Sequence, residues 1–206
     1  MKEYWEYFIK NIKLVIKDLK SQDKEKRRKQ IPNLLTIIRG FLAPITIIPA
    51  VLSGNIYLAF VLIAICSLTD SFDGWYARKY NAQSKFGADL DAICDKVFVL
   101  ALAFPLSFQY TRWIIEILVL ELVISIINSL YKIKGYEVHS SLTGKAKTVV
   151  LDTSIALCYF DFIFDVPEIF ITIATVLTTI MQILTAVGYI INYKKQEVSK
   201  VATKEV

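Results

Sequence analysis

Four aspartates offer the chemistry in this sequence: Asp70, Asp73, Asp91 and Asp95, all within the 26-residue stretch DSFDGWYARKYNAQSKFGADLDAICD. The first pair is three residues apart and the second four, spacings that put each pair on one helix face. A short connection makes the two helices antiparallel neighbours, so the carboxylates converge at one depth. Gathered carboxylates repel, and each tends to hold its proton. Divalent cations remove that conflict. Hard oxygen donors suit Mg2+ or Mn2+, and one shared carboxylate can bridge a pair of ions. Two ions form a clamp for phosphoryl chemistry. Gly74, Ala77 and Gly87 keep the adjoining faces small, which leaves room for a bulky anionic ligand near the backbone. Arg78, at the edge of the apolar run, is placed to meet phosphate. Asp89 is two residues from Asp91, turned off the shared face, and stays outside the site. The bland alternative is a set of structural charges at helix ends.

The elements that must position these residues are apolar helices. Hydrophobic residues make up 55% of the 206-residue chain, above the ~45–50% usual for globular proteins. Six runs approach the ~20 residues needed to cross a hydrocarbon core: residues 33–53, 56–78, 87–108, 113–132, 145–165 and 168–192. No repeat or low-complexity tract appears. Cys66, Cys94 and Cys158 lie in apolar segments at no metal-ligand spacing and read as packing residues. The charged N-terminus does not read as a cleavable signal peptide.

Charge orients the spans. Residues 1–31 hold ten Lys/Arg against five Asp/Glu, an excess equal to the +5 formal net charge of the whole chain. Basic residues also mark the 79–86 loop (Lys79, Lys85), the 132–147 stretch (Lys132, Lys134, Lys145, Lys147) and the tail (Lys194, Lys195, Lys200, Lys204). The alternate loops carry no charge at 53–56, only Arg112 at 109–112, and Asp161, Asp165 and Glu168 at 161–168. The positive-inside rule then puts both termini, and the aspartates, on the cytoplasmic side of the cell membrane.

The first twenty residues form a different element. Trp5, Phe8, Ile9, Ile12, Val15, Ile16 and Leu19 make one apolar helical stripe, with Lys10, Lys13, Lys17 and Lys20 off it. Such a helix lies on the cytoplasmic leaflet facing anionic lipid, or packs on its own protein. Residues 21–31 read as a solvated basic linker, or as a second contact for anionic lipid. The expected fold is therefore all-α and integral to the membrane: an amphipathic interfacial helix and linker (1–31), a six-helix domain (32–193) and a basic tail (194–206). Anionic lipid accounts for the basic ends without nucleic acid.

At this point the residues carry a resemblance. Asp70-x2-Asp73-Gly74-x2-Ala77-Arg78-x8-Gly87-x3-Asp91-x3-Asp95 resembles the signature of the CDP-alcohol phosphatidyltransferase family. The six-span layout with its N-terminal amphipathic helix extends the likeness over most of the chain. The resemblance implies transfer of a phosphatidyl group from CDP-diacylglycerol to an alcohol with release of CMP, in a homodimer whose site opens to the cytoplasm. It implies that Asp70, Asp73 and Asp91 hold a first metal, that Asp91 bridges to a second also bound by Asp95, and that Asp95 takes the proton of the attacking hydroxyl. Metal charge and a dry pocket help so weak a base. Gly74, Arg78 and Ser84 resemble contacts to the CDP part. Asn33-Leu34-Leu35-Thr36 resembles the segment that holds the nucleotide, with Asn33 and Thr36 as its polar members.

Two further stretches bear on the acceptor. IPNLLTIIRGFLAPI (31–45) and SLTGKAKT (141–148) resemble elements of the bacterial phosphatidylglycerophosphate synthases, which makes glycerol 3-phosphate the expected alcohol. Arg39, Lys145 and Lys147 are then candidates for its phosphate. The alternatives are snorkelling for Arg39 and ordinary cytoplasmic charge for the lysines. One departure stands out. The Arg-Glu-Phe element of those synthases is Leu120-Glu121-Leu122 here, and a later arginine is Asn128. Two expected cations are missing, which leaves open a cardiolipin synthase or an enzyme for inositol, inositol phosphate or another polyol. His139 reads as a solvated loop residue. A transporter would place acids nearer the midplane, in broken helices or repeats. A non-catalytic scaffold would be signalled by loss of an aspartate, and none is lost.

Overall fold

The computed structural model describes residues 2–109, 111–134, 136 and 142–202. His139, Ser141 and Lys204 lie outside them. The described residues form seven helices and no strand: α1 (Lys2–Lys20), α2 (Lys24–Leu52), α3 (Ile56–Lys79), α4 (Lys85–Leu106), α5 (Thr111–Ile133), α6 (Leu142–Phe164) and α7 (Glu168–Ala202). The chain divides into two compact units, residues 1–105 and 106–206.

Each expected apolar run corresponds to one of α2 to α7. Among the described residues, four stretches are long and apolar enough to cross a membrane: Lys24–Leu52, Ile56–Lys79, Ile114–Tyr131 and Glu168–Glu197. The other two expected spans, α4 and α6, carry more charge: Asp89, Asp91, Asp95 and Lys96 on one, Lys145, Lys147, Asp152 and Asp161 on the other.

In the first unit, α2 starts well before the apolar run. Asp23 caps it, accepting hydrogen bonds from Glu25 N at 2.9 Å and Lys26 N at 3.4 Å. The basic stretch 24–31 is thus the first two turns of a long helix, and the expected linker shrinks to residues 21–23. At its other end Gly54, at φ +75°, turns the chain. Asn55 then caps α3, accepting from Leu58 N at 3.2 Å. Between α3 and α4, Asn81 takes a positive φ of 49°, and the Ser84 hydroxyl caps α4 by accepting from Gly87 N at 2.9 Å.

The apolar stripe of α1 is divided. Val15 is buried against Phe86, Leu90 and Cys94 of α4, with Phe8, Ile12 and Leu19 beside it. Phe8 and Phe86 meet edge to face, 5.2 Å apart. Trp5, Ile9 and Ile16 remain exposed.

In the second unit, α7 packs on α5 and α6. The Ser154 and Thr178 hydroxyls lie 2.6 Å apart across α6 and α7, a seam of small polar residues that lets the helices approach closely. α7 continues through the expected tail to Ala202.

Candidate active site

Arg39 is the centre of the first unit's polar cluster. Its side chain is 2% exposed. One terminal nitrogen meets Asp70 Oδ1 at 2.5 Å; the other meets Asp91 Oδ1 at 3.0 Å and Asp95 Oδ1 at 2.9 Å. The three carboxylates are 43–55% exposed. Each spends one oxygen on the buried guanidinium. One oxygen from each, taken together, form a group within 4.8 Å of one another. Of the four aspartates expected to converge, Asp70, Asp91 and Asp95 do so, and what joins α3 to α4 there is Arg39 of α2.

Two glycines let α4 lie close to α2. A Cβ at Gly40 would stand 2.6 Å from Cys94 Sγ, and one at Gly87 would stand 2.7 Å from Asn33 Oδ1. A larger residue at either position would force a shift, first of the Cys94 or Asn33 side chain and, where these cannot give, of α4 with Asp91 and Asp95. The small face of Gly87 thus receives a neighbouring side chain of the same protein. Gly74 differs: a Cβ there would meet only the Arg78 guanidinium, at 3.5 Å, which leaves that face open as expected.

Asp73 stands apart from the other three aspartates. It is buried, and its Oδ2 accepts a hydrogen bond from Thr36 Oγ1 at 2.9 Å. Asn33 is buried too and donates to Gln30 Oε1 at 2.7 Å, while Gln30 donates to Asp18 of α1 at 3.0 Å. A polar relay therefore runs from α1 to the residues expected to hold the nucleotide. Arg78 and Ser84 are exposed. Gln30, and Arg39 as a partner of carboxylates, escaped the sequence reading. The available signal was a charge inside an apolar helix, which needs a counter-ion, with four aspartates nearby.

The donor set fits a divalent metal. It is hard oxygen only, it converges, and it carries three negative charges against one positive. Asp70, Asp91 and Asp95 would hold Mg2+ or Mn2+; Asp73 is the fourth expected ligand, one turn along α3.

The second unit holds a different polar group. Lys147 Nζ donates to both oxygens of Glu121, at 2.8 and 2.6 Å, and the two side chains are 9% and 14% exposed. Gln182, fully buried, donates from Nε2 to Glu121 Oε2 at 3.2 Å and to Ile117 O at 3.1 Å. Asn128 accepts from the Tyr193 hydroxyl at 2.7 Å, and Tyr193 stacks on Tyr131 at 3.8 Å. Glu121 and Asn128 each have a partner within the helices. Lys145 is exposed.

Comparison with known proteins adds three findings. Residues 29–188 match the sequence pattern of the family described as CDP-alcohol phosphatidyltransferase. Among curated proteins, the chain is similar to the CDP-diacylglycerol–glycerol-3-phosphate 3-phosphatidyltransferases of Rickettsia felis and Escherichia coli K12. Identity to the first is 38% over 73 residues, covering 34% of this chain and 40% of the relative. Identity to the second is 34% over 85 residues, covering 40% and 47%. The matches thus span less than half the length of these relatives. Among solved structures, the chain resembles the phosphatidylinositol phosphate synthase of Mycobacterium tuberculosis in apo form, with a TM-score of 0.61 at 20% identity over 78% of this chain and 87% of that one. The same protein solved with manganese and citrate gives 0.61 at 19% identity, over 79% and 81%. At these identities the likeness is one of fold.

Proposed function

The chain belongs to the CDP-alcohol phosphatidyltransferase family, and from that premise we propose that it moves the phosphatidyl group of CDP-diacylglycerol to glycerol 3-phosphate, giving phosphatidylglycerophosphate and CMP. The observation that carries the reading is the convergence of Asp70, Asp91 and Asp95, each at its position in the family signature, with their oxygens within 4.8 Å. The curated relatives' names support the acceptor. The enzyme is a multi-pass membrane protein with six spans, α2 to α7, and α1 at the cytoplasmic interface, against anionic lipid. It works as a homodimer, and both its termini and its site face the cytoplasm.

Two divalent ions, Mg2+ or Mn2+, held by Asp70, Asp73, Asp91 and Asp95, would supply charge against the diphosphate and its leaving group. The chain's own residues do the rest. Asp95 keeps one oxygen on Arg39 and offers the other to the acceptor hydroxyl, whose proton it takes. The acceptor oxygen attacks the phosphorus of the phosphatidyl group, and the bond to CMP breaks. Asn33, Thr36, Gly74, Arg78 and Ser84 serve the CDP part, with the open face of Gly74 admitting it close to the α3 backbone. For the acceptor's phosphate, Arg39, Lys145 and Lys147 were the candidates. Arg39 and Lys147 are both engaged by carboxylates, so Lys145 is the proposed contact.

The two cations missing at Leu120 and Asn128 also support a second reading, in which the acceptor is phosphatidylglycerol or a polyol such as inositol or its phosphate. The deciding experiment follows CMP release from CDP-diacylglycerol by purified protein with Mg2+ or Mn2+, across glycerol 3-phosphate, phosphatidylglycerol, inositol and inositol phosphate. Release with glycerol 3-phosphate alone is expected. Release with another acceptor alone moves the assignment there, and no release with any acceptor ends the transferase reading.

A further inference from the structure

The Arg39 side chain is 2% exposed, and both its terminal nitrogens are spent on aspartates. Its Nε is buried without a hydrogen-bond partner. No face of this guanidinium is open to a ligand arriving from outside. Yet it touches all three carboxylates that converge, and it does so from the buried side, while their exposed portions face outward. Three carboxylates within 4.8 Å of one another would repel strongly without it.

We propose that Arg39 is a built-in counter-cation, which holds Asp70, Asp91 and Asp95 together in the metal-free protein and lowers the affinity of that cluster for a divalent ion. The inference rests on the metal-dependent reading above. Arg39 acts through the carboxylates and is a positioning residue. Two opposing effects follow from its place. Convergence of the carboxylates favours an ion, whereas a fixed positive charge in contact with all three disfavours it. The charge wins, because a divalent ion draws the carboxylates together by itself and has no need of a second cation to do so, while Coulomb repulsion at contact range persists. The protein then takes up metal sparingly by itself and more readily when an anionic diphosphate adds negative charge.

The test titrates Mn2+ alone into the full-length protein in detergent, with no lipid substrate, by electron paramagnetic resonance. Arg39→Gln is expected to bind Mn2+ about tenfold tighter than the wild type or more. Arg39→Lys, which keeps the charge but not the planar fork, is expected to stay within about threefold of the wild type. Equal or weaker binding by Arg39→Gln overturns the inference, and so does loss of Mn2+ binding in Arg39→Lys, since either makes the fork's geometry the dominant contribution. Should Arg39→Gln fail to fold, Arg39→Met, which also removes the charge on an unbranched side chain, takes its place under the same expected and overturning results. CMP release by the wild type separates the two levels: release that needs a divalent ion, together with an untightened Arg39→Gln, sinks the inference alone. Wild-type protein that neither binds Mn2+ nor releases CMP sinks the functional reading and the inference together.

Discussion

Arg39 and Lys147 are both buried cations on apolar helices, and they are partnered in opposite ways. Arg39 faces three carboxylates that are each about half exposed. Lys147 faces one carboxylate that is as buried as itself, and Gln182 closes the group from a third helix. The first cluster keeps surplus negative charge at an open surface. The second is neutral and sealed. A neutral pair leaves no surplus charge for an ion to neutralise, although Gln182 Oε1 beside it is buried without a hydrogen-bond partner. A charged, open one keeps surplus negative charge at the surface for a counter-ion to neutralise, which is what a metal-binding site requires. The contrast predicts that removing charge in the first unit costs turnover and in the second costs stability.

The largest expected effect is on the open cluster. Asp91→Asn or Asp95→Asn should lower CMP release by at least about 10²–10³-fold while leaving the melting temperature in detergent close to wild type, because each side chain is half in contact with solvent. Removal of divalent ions with a chelator should do the same, reversibly. A variant that unfolds instead of losing activity would mean that this cluster, too, is structural.

The sealed pair should behave the other way. Lys147→Met leaves Glu121 buried and unpaired, and should cost about 3–5 kcal/mol of stability. Lys147→Met combined with Glu121→Leu should recover most of that, since replacing a buried pair with apolar residues is often neutral. Thermal melts of the single and double variants measure this. If the double variant is stable yet shows a raised KM for the acceptor, Lys147 contacts the acceptor after all, and the contrast narrows.

How far all this could be read from the sequence follows the same division. The apolar runs and the three- and four-residue aspartate spacings report directly on a helix and its faces, so α2 to α7 and the Asp70–Asp91–Asp95 convergence were legible. Partners were not. Arg39 was read as a phosphate contact, because periodicity gives a residue's face but not what packs there. Glu121 and Lys147 are 26 residues apart, and nothing local links them. The basic stretch 24–31 was read as solvated linker, since charge suggests solvent; one cap at Asp23 was enough to make it helix. Gly87 was read as room for a ligand, and the structure fills that room with Asn33.

Gly40 provides the smallest and sharpest prediction, because it separates the cluster's position from its charge. An alanine there would bring its Cβ within 2.6 Å of Cys94 Sγ, whereas the Cys94 Cβ would sit at an ordinary 3.5 Å. Gly40→Ala should therefore cost about 1–3 kcal/mol by overpacking. It should also move α4 enough to lower CMP release about tenfold, since small displacements of reacting groups are expensive. Adding Cys94→Ala removes the sulfur and nothing else near that contact, so the double variant should regain both stability and rate. If the rate returns but the stability does not, α4 was never displaced and the loss lay elsewhere. If the stability returns but the rate does not, Cys94 itself matters to the neighbouring Asp95. If both return, the close approach of α2 to α4 is what holds the open cluster in register. In that case the first unit depends on backbone proximity for what the second achieves with a paired charge.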